Sequence, residues 1–477
     1  MGASNRWAGR YVVPTSSRKA SADQQFGADC GPKIAEVVSL DLDGRGVARL
    51  EGKVAFIEGA LPGERVLWQR TRSKPRFDTG RVIQVLRASS DRVTPRCPHF
   101  GLDRGCCGGC TMQHLDARAQ VAIKQRMLEE TLWHIGRVRP ELILRPICGP
   151  TWHYRQRARL AVRYVARKGG ALVGFHERAS SYVADMRQCE VLPESVSRLL
   201  MPLRALVERL SIRDRLPQIE VAVGQHATVL VLRILAALTE ADRQLLTEFS
   251  NEHEVEFWTQ AEGPDSAAPL DPQQAGALEV TLPEFGLKLP FRPTDFTQVN
   301  HRTNAVLVRR ALALLAPQND QVVADFFCGM GNFTLPIATR AFKVLGLEGN
   351  ASLLQRARTT ATSAGLAQRV SFSQCDLFKW TADDWASLRR AAGGRIAGVL
   401  LDPPRDGAIA LVQSLASQTP PSRLVYVSCN PATLARDCGY LVQQKAWRLR
   451  AAGVINMFPH TSHVESIAVL ESSDLTS

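Results

Sequence analysis

The sequence predicts an α/β protein in three parts: an OB-like β-barrel near the N-terminus, a central α+β domain carrying a cysteine cluster, and a C-terminal doubly wound, Rossmann-like domain. Three observations carry this reading. Short β-type runs separated by turn residues fill Ile34 to Leu86, four cysteines crowd between Cys97 and Cys110, and helical and β patterns alternate after about residue 300. The boundaries that follow are a polar tail over residues 1–29, the barrel over 30–92, the central domain over 93–295 and the C-terminal domain over 296–477.

The barrel segment reads as IAEVVSL, GVARLEG, KVAFIEGAL, GERVLWQRT and TGRVIQVL, with Asp43-Gly44, Glu51-Gly52 and Pro62-Gly63 as turns. Arg70, Arg72, Lys74 and Arg76 place a cation at every second position, which in extended chain lines one side and suits a phosphate backbone. Residues 1–96 hold 17 Lys and Arg against 10 Asp and Glu, so a large share of the formal charge of +13 lies in the first fifth of the chain. Such asymmetry points to a polyanion as partner. The first residues are charged and polar with no apolar core after them, so neither a secretory signal nor myristoylation is expected. The longest apolar run, Thr228 to Leu238, is broken by Arg233 and is too short to span a bilayer. The expectation is a cytoplasmic monomer with no membrane or DNA partner, in which cysteines serve metal ligation, catalysis or burial rather than disulfides.

In the central domain, Leu115 to Ile135 reads as a helix. The following stretch alternates, with Tyr154, Ala158, Leu160, Val162 and Tyr164 on one face and Arg155, Arg157, Arg159 and Arg163 on the other, before Lys168-Gly169-Gly170 turns a hairpin. Eight basic against three acidic residues between 151 and 190 make this face a second candidate surface for nucleic acid. Residues 261–277, rich in Ala, Pro and Gly, read as a loop. The spacing Cys107-Gly-Gly-Cys110 lets thiolates converge on a metal, for which zinc is the generic reading.

In the C-terminal domain, Asp325-Phe-Phe-Cys-Gly-Met-Gly-Asn332 joins a strand to a helix, so its glycines let the backbone approach a ligand at the helix N-terminus. Thr334 stands where a dinucleotide fingerprint has its third glycine, which counts against a flavin- or NAD-linked oxidoreductase. Glu348 closes the next strand and suits a ribose; Asp376 closes the third and suits an adenine edge. Asp402 in LDPPR and Cys429 in SCNP end two further strands and should face one crevice. Glu465, with His463 as its competitor, lies before the last strand and offers a base. Cysteine is commonly just a small buried residue, but a strand terminus between Ser and Asn-Pro favours a reactive thiol.

DFFCGMGNFTLP, LDPPR, SCNP, HTSHVE and FTQVN at 296–300 resemble, in order and spacing, the motifs of the RNA (uracil-5)-methyltransferases. The resemblance extends to the barrel, which looks like a TRAM domain, and to CPHFG…CGGC, which looks like an iron-sulfur motif; it covers about residues 30–470 and is strongest for the bacterial members that modify 23S ribosomal RNA. It implies S-adenosyl-L-methionine as cofactor, contacted by Gln298, Phe327, Asn332, Glu348, Asp376 and Asp402, with Cys429 as nucleophile and Glu465 as base. It also implies a [4Fe-4S] cluster on Cys97, Cys107, Cys110 and Cys189, a structural clamp on the Arg-rich hairpin that binds RNA. Nine residues separate Cys97 from Cys107 where the family has five, so Cys106 competes with Cys107; the two-residue spacing to Cys110 favours Cys107. The chemistry fits: uracil C5 is a poor nucleophile until a thiolate adds at C6. A helix N-terminus after Pro431 is expected to help the thiol ionise, and desolvation is expected to raise Glu465 towards neutrality. The competing readings are a tRNA uracil-5-methyltransferase with the same site and a non-catalytic RNA-binding protein that retains the fold.

Overall fold

The computed structural model describes residues 31–273, 278–415, 420–445 and 447–472, without the side chains of Lys168 and Lys445; the predicted tail thus lies outside the described residues. The chain forms two compact units. One comprises residues up to Cys106, Cys110–Ile123 and His460–Ser462; the other comprises Cys107–Gly109, Lys124–Pro459 and the residues from His463 onward.

The first unit is built on β1 (Lys33–Glu36), β2 (Ser39–Leu40), β3 (Gly46–Leu50), β4 (Lys53–Glu58), β5 (Arg65–Ser73) and β6 (Phe77–Arg87) in one sheet of order β1-β5-β6-β4-β3-β2. Its two edge strands are separated in sequence by Val37 and Val38 alone, so the chain itself carries one edge over to the other. Alternation puts Ala35, Val37, Ala48, Ala55, Ile57, Val66 and Trp68 inside. Buried Glu64 is fully satisfied, by the Leu61 and Ser89 N–H groups and by Arg92 at 2.5 Å. Buried His460 also belongs to this unit. Its N–H donates to Gln120 Oε1 at 2.7 Å and its carbonyl accepts from Thr111 and Met112.

The predicted helix is α1 (Ala117–His134). It leads to β7 (Leu142–Ile143), β8 (Arg157–Val165), β9 (Gly170–Gly174), α2 (Glu194–Arg198), α3 (Leu200–Arg209), β10 (Gln218–Val223), β11 (Thr228–Arg233), α4 (Glu240–His253), β12 (Glu256–Gln260), β13 (Ala268–Pro269), β14 (Glu279–Leu282) and β15 (Leu287–Pro290). β8 to β13 form a second sheet, ordered β13-β12-β11-β10-β8-β9. The alternation in β8 works as expected, with Ala158, Leu160 and Val162 buried. Its arginine face is partly committed within the protein: the Arg155 guanidinium lies 5.5 Å from the Phe175 ring centroid, Arg157 donates to the Asp295 carbonyl, and Arg159 pairs with Glu220 at 3.0 Å. Arg163 remains exposed, as does most of the Arg159 side chain.

The remaining chain runs α5 (His301–Leu315), β16 (Val322–Phe326), α6 (Thr334–Ala338), β17 (Lys343–Glu348), α7 (Ala351–Ser363), β18 (Val370–Gln374), α8 (Ala382–Ala391), β19 (Gly398–Leu401), α9 (Ile409–Ser414), β20 (Arg423–Ser428), α10 (Pro431–Lys445), β21 (Trp447–Ile455) and β22 (Glu465–Ser472). These strands make a sheet of order β18-β17-β16-β19-β20-β22-β21-β7. β16 to β20 are parallel, while β22 returns antiparallel between β20 and β21. The strand order reverses between β16 and β19, where an open sheet leaves a crevice at its carboxyl ends. β7 pairs with β21, so the sheet takes its last strand from far upstream of residue 296.

Among the described residues no helix is long and apolar enough to cross a membrane.

α10 is seated by a backbone contact. A Cβ on Gly439 would stand 2.5 Å from the Gly136 carbonyl oxygen, which also accepts from Gln443 Nε2 at 2.9 Å. Gly439→Ala gains about 1 kcal/mol of helix propensity but must displace a backbone oxygen, an overpacking cost of about 1–3 kcal/mol. The expected outcome is a net loss of stability with no change in slope in urea unfolding.

Candidate active site

The loop after β16 is held in a strained form that opens its N–H groups. Phe327 has φ +61°, and Gly331 (φ +95°) has Leu335 3.0 Å from where a Cβ would stand. The Gly329 N–H donates to Glu348 Oε2 at 3.1 Å, and Asn350 N–H to Oε1 at 3.0 Å, so the β17 carboxylate is aimed by two backbone donors. Asn332 forms a reciprocal amide pair with buried Asn304 of α5, at 2.8 and 3.1 Å. Asp376 follows β18, accepts from Phe378 N–H at 3.1 Å, and lies 3.3 Å from Lys379 Nζ. The Phe378 ring, 53% exposed, stands 5.7 Å edge-on to Phe327, giving an angled apolar wall. Half-buried Gln298 precedes Asn300, whose side chain caps α5 through Thr303 N–H at 3.1 Å.

Thr334 has a positive role. Its hydroxyl donates at 2.5 Å to Oδ2 of Asp325, which is wholly buried in β16 and whose Oδ1 has no protein donor. Burial pushes the Asp325 carboxyl up to about 8, and the charges of Asp402 and Glu348 push the same way. Burial likewise lifts Asp402 to about 7.

The thiol and the base meet through sheet register. Ser428 pairs with Ser466, so the next positions outward, Cys429 and Glu465, lie across from one another. Asp402 follows Leu401, the partner of Tyr426 on the other side of β20. Burial raises buried Glu465 to about 8; Asp402 adds to this and Arg405 opposes it. Neutralisation of Glu465 matches the expectation drawn from desolvation. The expectation for the thiol is not met. Cys429 is pushed up to about 11, by burial first and then by Glu465 and Asp402, with Arg405 opposing. Desolvation leads, and the two nearby acids add to it.

Arg405, contained in LDPPR but not singled out there, thus bears on both the thiol and Glu465. Its Nη2 lies 3.4 Å from His463 Nδ1, and His463 is held below its ordinary value by burial and then by the cations Arg405, Lys124 and Arg155. The lowered value weakens His463 as a proton acceptor but leaves it unprotonated at neutral pH, so it stays a competitor to Glu465. Buried Lys124 was also missed: it donates to Asn456 Oδ1 at 3.1 Å and the Phe458 carbonyl at 2.8 Å, fixing the chain that leads to His463. No sequence periodicity distinguishes it from a surface lysine.

The assembled crevice offers the Glu348 carboxylate held by two N–H groups, an aromatic wall, and two acids, Glu465 and Asp402, bearing on one thiol. Such a site suits a cationic, nucleoside-like ligand beside an electrophile.

For the predicted cluster, Cys97, Cys107, Cys110 and Cys189 are each buried, while Cys106 is partly exposed. The Gly109 N–H lies 3.4 Å from Cys107 Sγ. Among the described residues no group of three or more His, Cys, Asp or Glu side chains stands as a metal site.

The family model for tRNA (uracil-5-)-methyltransferases matches residues 116–473. A protein of Cupriavidus pinatubonensis named 23S rRNA (uracil(1939)-C(5))-methyltransferase RlmD is 54% identical over 471 residues, covering 96% of this chain and 100% of that protein. One of the same name from Bordetella parapertussis is 56% identical over 444 residues, covering 92% of this chain and 93% of its own. The fold is similar to that of a Pyrococcus abyssi tRNA (uracil-54, C5)-methyltransferase crystallised with S-adenosyl-L-homocysteine, with a TM-score of 0.67 and 22% identity over 92% of this chain and 100% of that one.

The mutual charge effects predict the behaviour of the thiol. Glu465 is charged only above about pH 8, so Glu465→Gln should speed iodoacetamide alkylation of Cys429 at about pH 9 to 10 and leave it unchanged below about pH 7. Equal rates across that range would separate the two groups.

Proposed function

Because the chain belongs to the tRNA (uracil-5-)-methyltransferase family, we propose that it is an S-adenosyl-L-methionine-dependent enzyme that methylates C5 of a uridine in 23S ribosomal RNA, through a covalent bond from Cys429 to C6. The observation that carries this reading is the register that sets Cys429 across from Glu465 with Asp402 alongside. Relatives at 54% and 56% identity over nearly the whole chain favour ribosomal RNA over tRNA, and their names point to the position equivalent to uracil 1939.

Gln298, Phe327, Asn332, Glu348, Asp376 and Asp402 would hold the donor, which supplies a methyl group on a sulfonium cation. The acidic rim suits that cation, and the Asp325 atom without a protein donor fits a site completed by a ligand. Cys429 forms a bond to C6 as its thiolate, and the electron pair moves through C5 towards the C4 oxygen. C5 then takes the methyl group as its bond to the donor's sulfur breaks, which would leave the donor as a neutral sulfide. Glu465 accepts the C5 proton, for which a value of about 8 lies close to working pH, and the returning electron pair expels Cys429. While Glu465 is neutral it does not repel the thiolate, and it must release that proton to solvent before it can take the one from C5; Arg405 favours the thiolate throughout. The residues thereby share one proton economy.

The six-stranded N-terminal sheet is read as an OB-like TRAM barrel, since its edge strands are contiguous in sequence. Exposed Arg72, Lys74 and Arg76, with Arg159 and Arg163, would track RNA phosphates while the target base is turned out of its stack. The barrel, the central domain over 93–295 and the domain from 296 thus divide the work between RNA grip and chemistry.

With RNA carrying 5-fluorouridine, the protein and labelled donor should form an adduct that survives denaturation and is absent in Cys429→Ala; an adduct that persists in that variant overturns the nucleophile. Glu465→Gln should slow turnover on ordinary RNA by about 10²–10⁴-fold and let the adduct accumulate. If tRNA but not 23S ribosomal RNA is trapped, the substrate reading falls.

Cys97, Cys107, Cys110 and Cys189 are read as ligands of a [4Fe-4S] cluster, on the resemblance of CPHFG…CGGC to the family's motif and on their individual burial. Anaerobically purified protein should contain iron and acid-labile sulfide, lost in Cys107→Ser and kept in Cys106→Ser. Zinc in place of iron would correct the metal, and retention in Cys107→Ser would exchange the two cysteines.

A further inference from the structure

Asp437, on α10, is wholly buried and lies outside the reacting groups described above. Its Oδ2 accepts from Ala408 N–H at 2.9 Å and from the Tyr426 hydroxyl at 2.7 Å; its Oδ1 accepts from Arg436 Nε at 2.8 Å. The same side of α10 grips the loop between β19 and α9 at further points. Arg436 Nη2 donates to the Asp406 carbonyl at 2.9 Å, while Asn430 Nδ2 and the Thr433 hydroxyl donate to the Arg405 carbonyl at 2.9 and 3.2 Å. Gly407, at φ +76°, leaves no room between them: a Cβ there would stand 2.8 Å from Asp437 Oδ2 and 2.9 Å from Thr433 Cβ. One carboxylate thus joins the loop, β20 and α10, the elements that carry Arg405, Ser428 and the residues after Cys429.

The loop's cargo gives this clamp a chemical consequence. Three charged groups from three elements bear on Cys429: Glu465 at the start of β22, Asp402 after β19, and Arg405 on the loop. Two raise the thiol; Arg405 lowers it and also lowers Glu465. We propose that Asp437 is a positioning residue that, by clamping the loop to α10, keeps the Arg405 guanidinium beside Cys429 and Glu465. Resting on Cys429 as nucleophile, this assigns activation of the thiol to a buried carboxylate that acts only through Arg405.

The test uses the full chain and four variants: Asp437→Asn, Arg436→Ala, Arg405→Ala and the Asp437→Asn/Arg405→Ala double. The pH dependence of Cys429 alkylation by iodoacetamide is read by peptide mass spectrometry, with S-adenosyl-L-methionine binding measured alongside. Asp437→Asn and Arg436→Ala should move the alkylation midpoint up by about half a unit, slowing reaction at neutral pH about threefold. Donor binding should stay within about twofold. In the Arg405→Ala background Asp437→Asn should add no further shift. A full shift in that background, or an unmoved midpoint in both folded single variants, overturns the proposal. If Asp437→Asn does not fold, Arg436→Ala decides alone, its side chain being 40% exposed. Because alkylation reads the thiol directly, failure of the nucleophile assignment would show separately, as RNA trapped by Cys429→Ala.

Discussion

Asp325, Asp402 and Glu465 are acids that the fold withdraws from water, and Cys429 shares their surroundings. Each carboxyl is driven towards its neutral form by loss of solvent, and each one that ionises makes the next harder to ionise. The thiol at the end of β20 is subject to the same penalty. A crevice in this condition gains from taking in positive charge, which lets its carboxyls ionise. It favours a cation among the carboxylates, and it ties the ionisation of nucleophile and base to one another and to Arg405.

That condition depends on a rigid frame. Parallel strands β16 to β20 deliver side chains to one rim, and the antiparallel return of β22 brings Glu465 to it from the first residue of a strand rather than the last. Supporting contacts are mostly polar and fully engaged: the Asn304–Asn332 amide pair, the two N–H groups on Glu348, and the donors gathered on Asp437. Such networks have few alternative arrangements in a low-dielectric interior, so they hold groups to narrow positions. Lys124 does the same for the segment before His463, using a buried amine that burial lowers to about 7.

The basic surface shows the difference between a pattern and its use. Alternation in β8 correctly separates an apolar from an arginine face. Yet Arg157 is drawn inward by Asp295 and Glu220, carboxyl-bearing residues far away in sequence, while Arg163 stays in solvent. A period of two specifies which side a residue takes, not which partner meets it there.

By itself the sequence determined the elements and the inventory of reactive groups. Strands and helices followed from apolar periodicity and turn residues; Cys429, Asp402 and Glu348 stood at strand ends because α/β alternation leaves polar residues at the carboxyl rim, and Glu465 stood close before the last strand. The tertiary structure decided what those groups are chemically. Desolvation and the proximity of charges from separate elements raised Asp325, Asp402 and Glu465, pushed the Cys429 thiol up, and brought Arg405, Lys124 and Asp437 into the account. Those are properties of distances across the fold, and distance in space is the quantity that spacing along a chain does not encode.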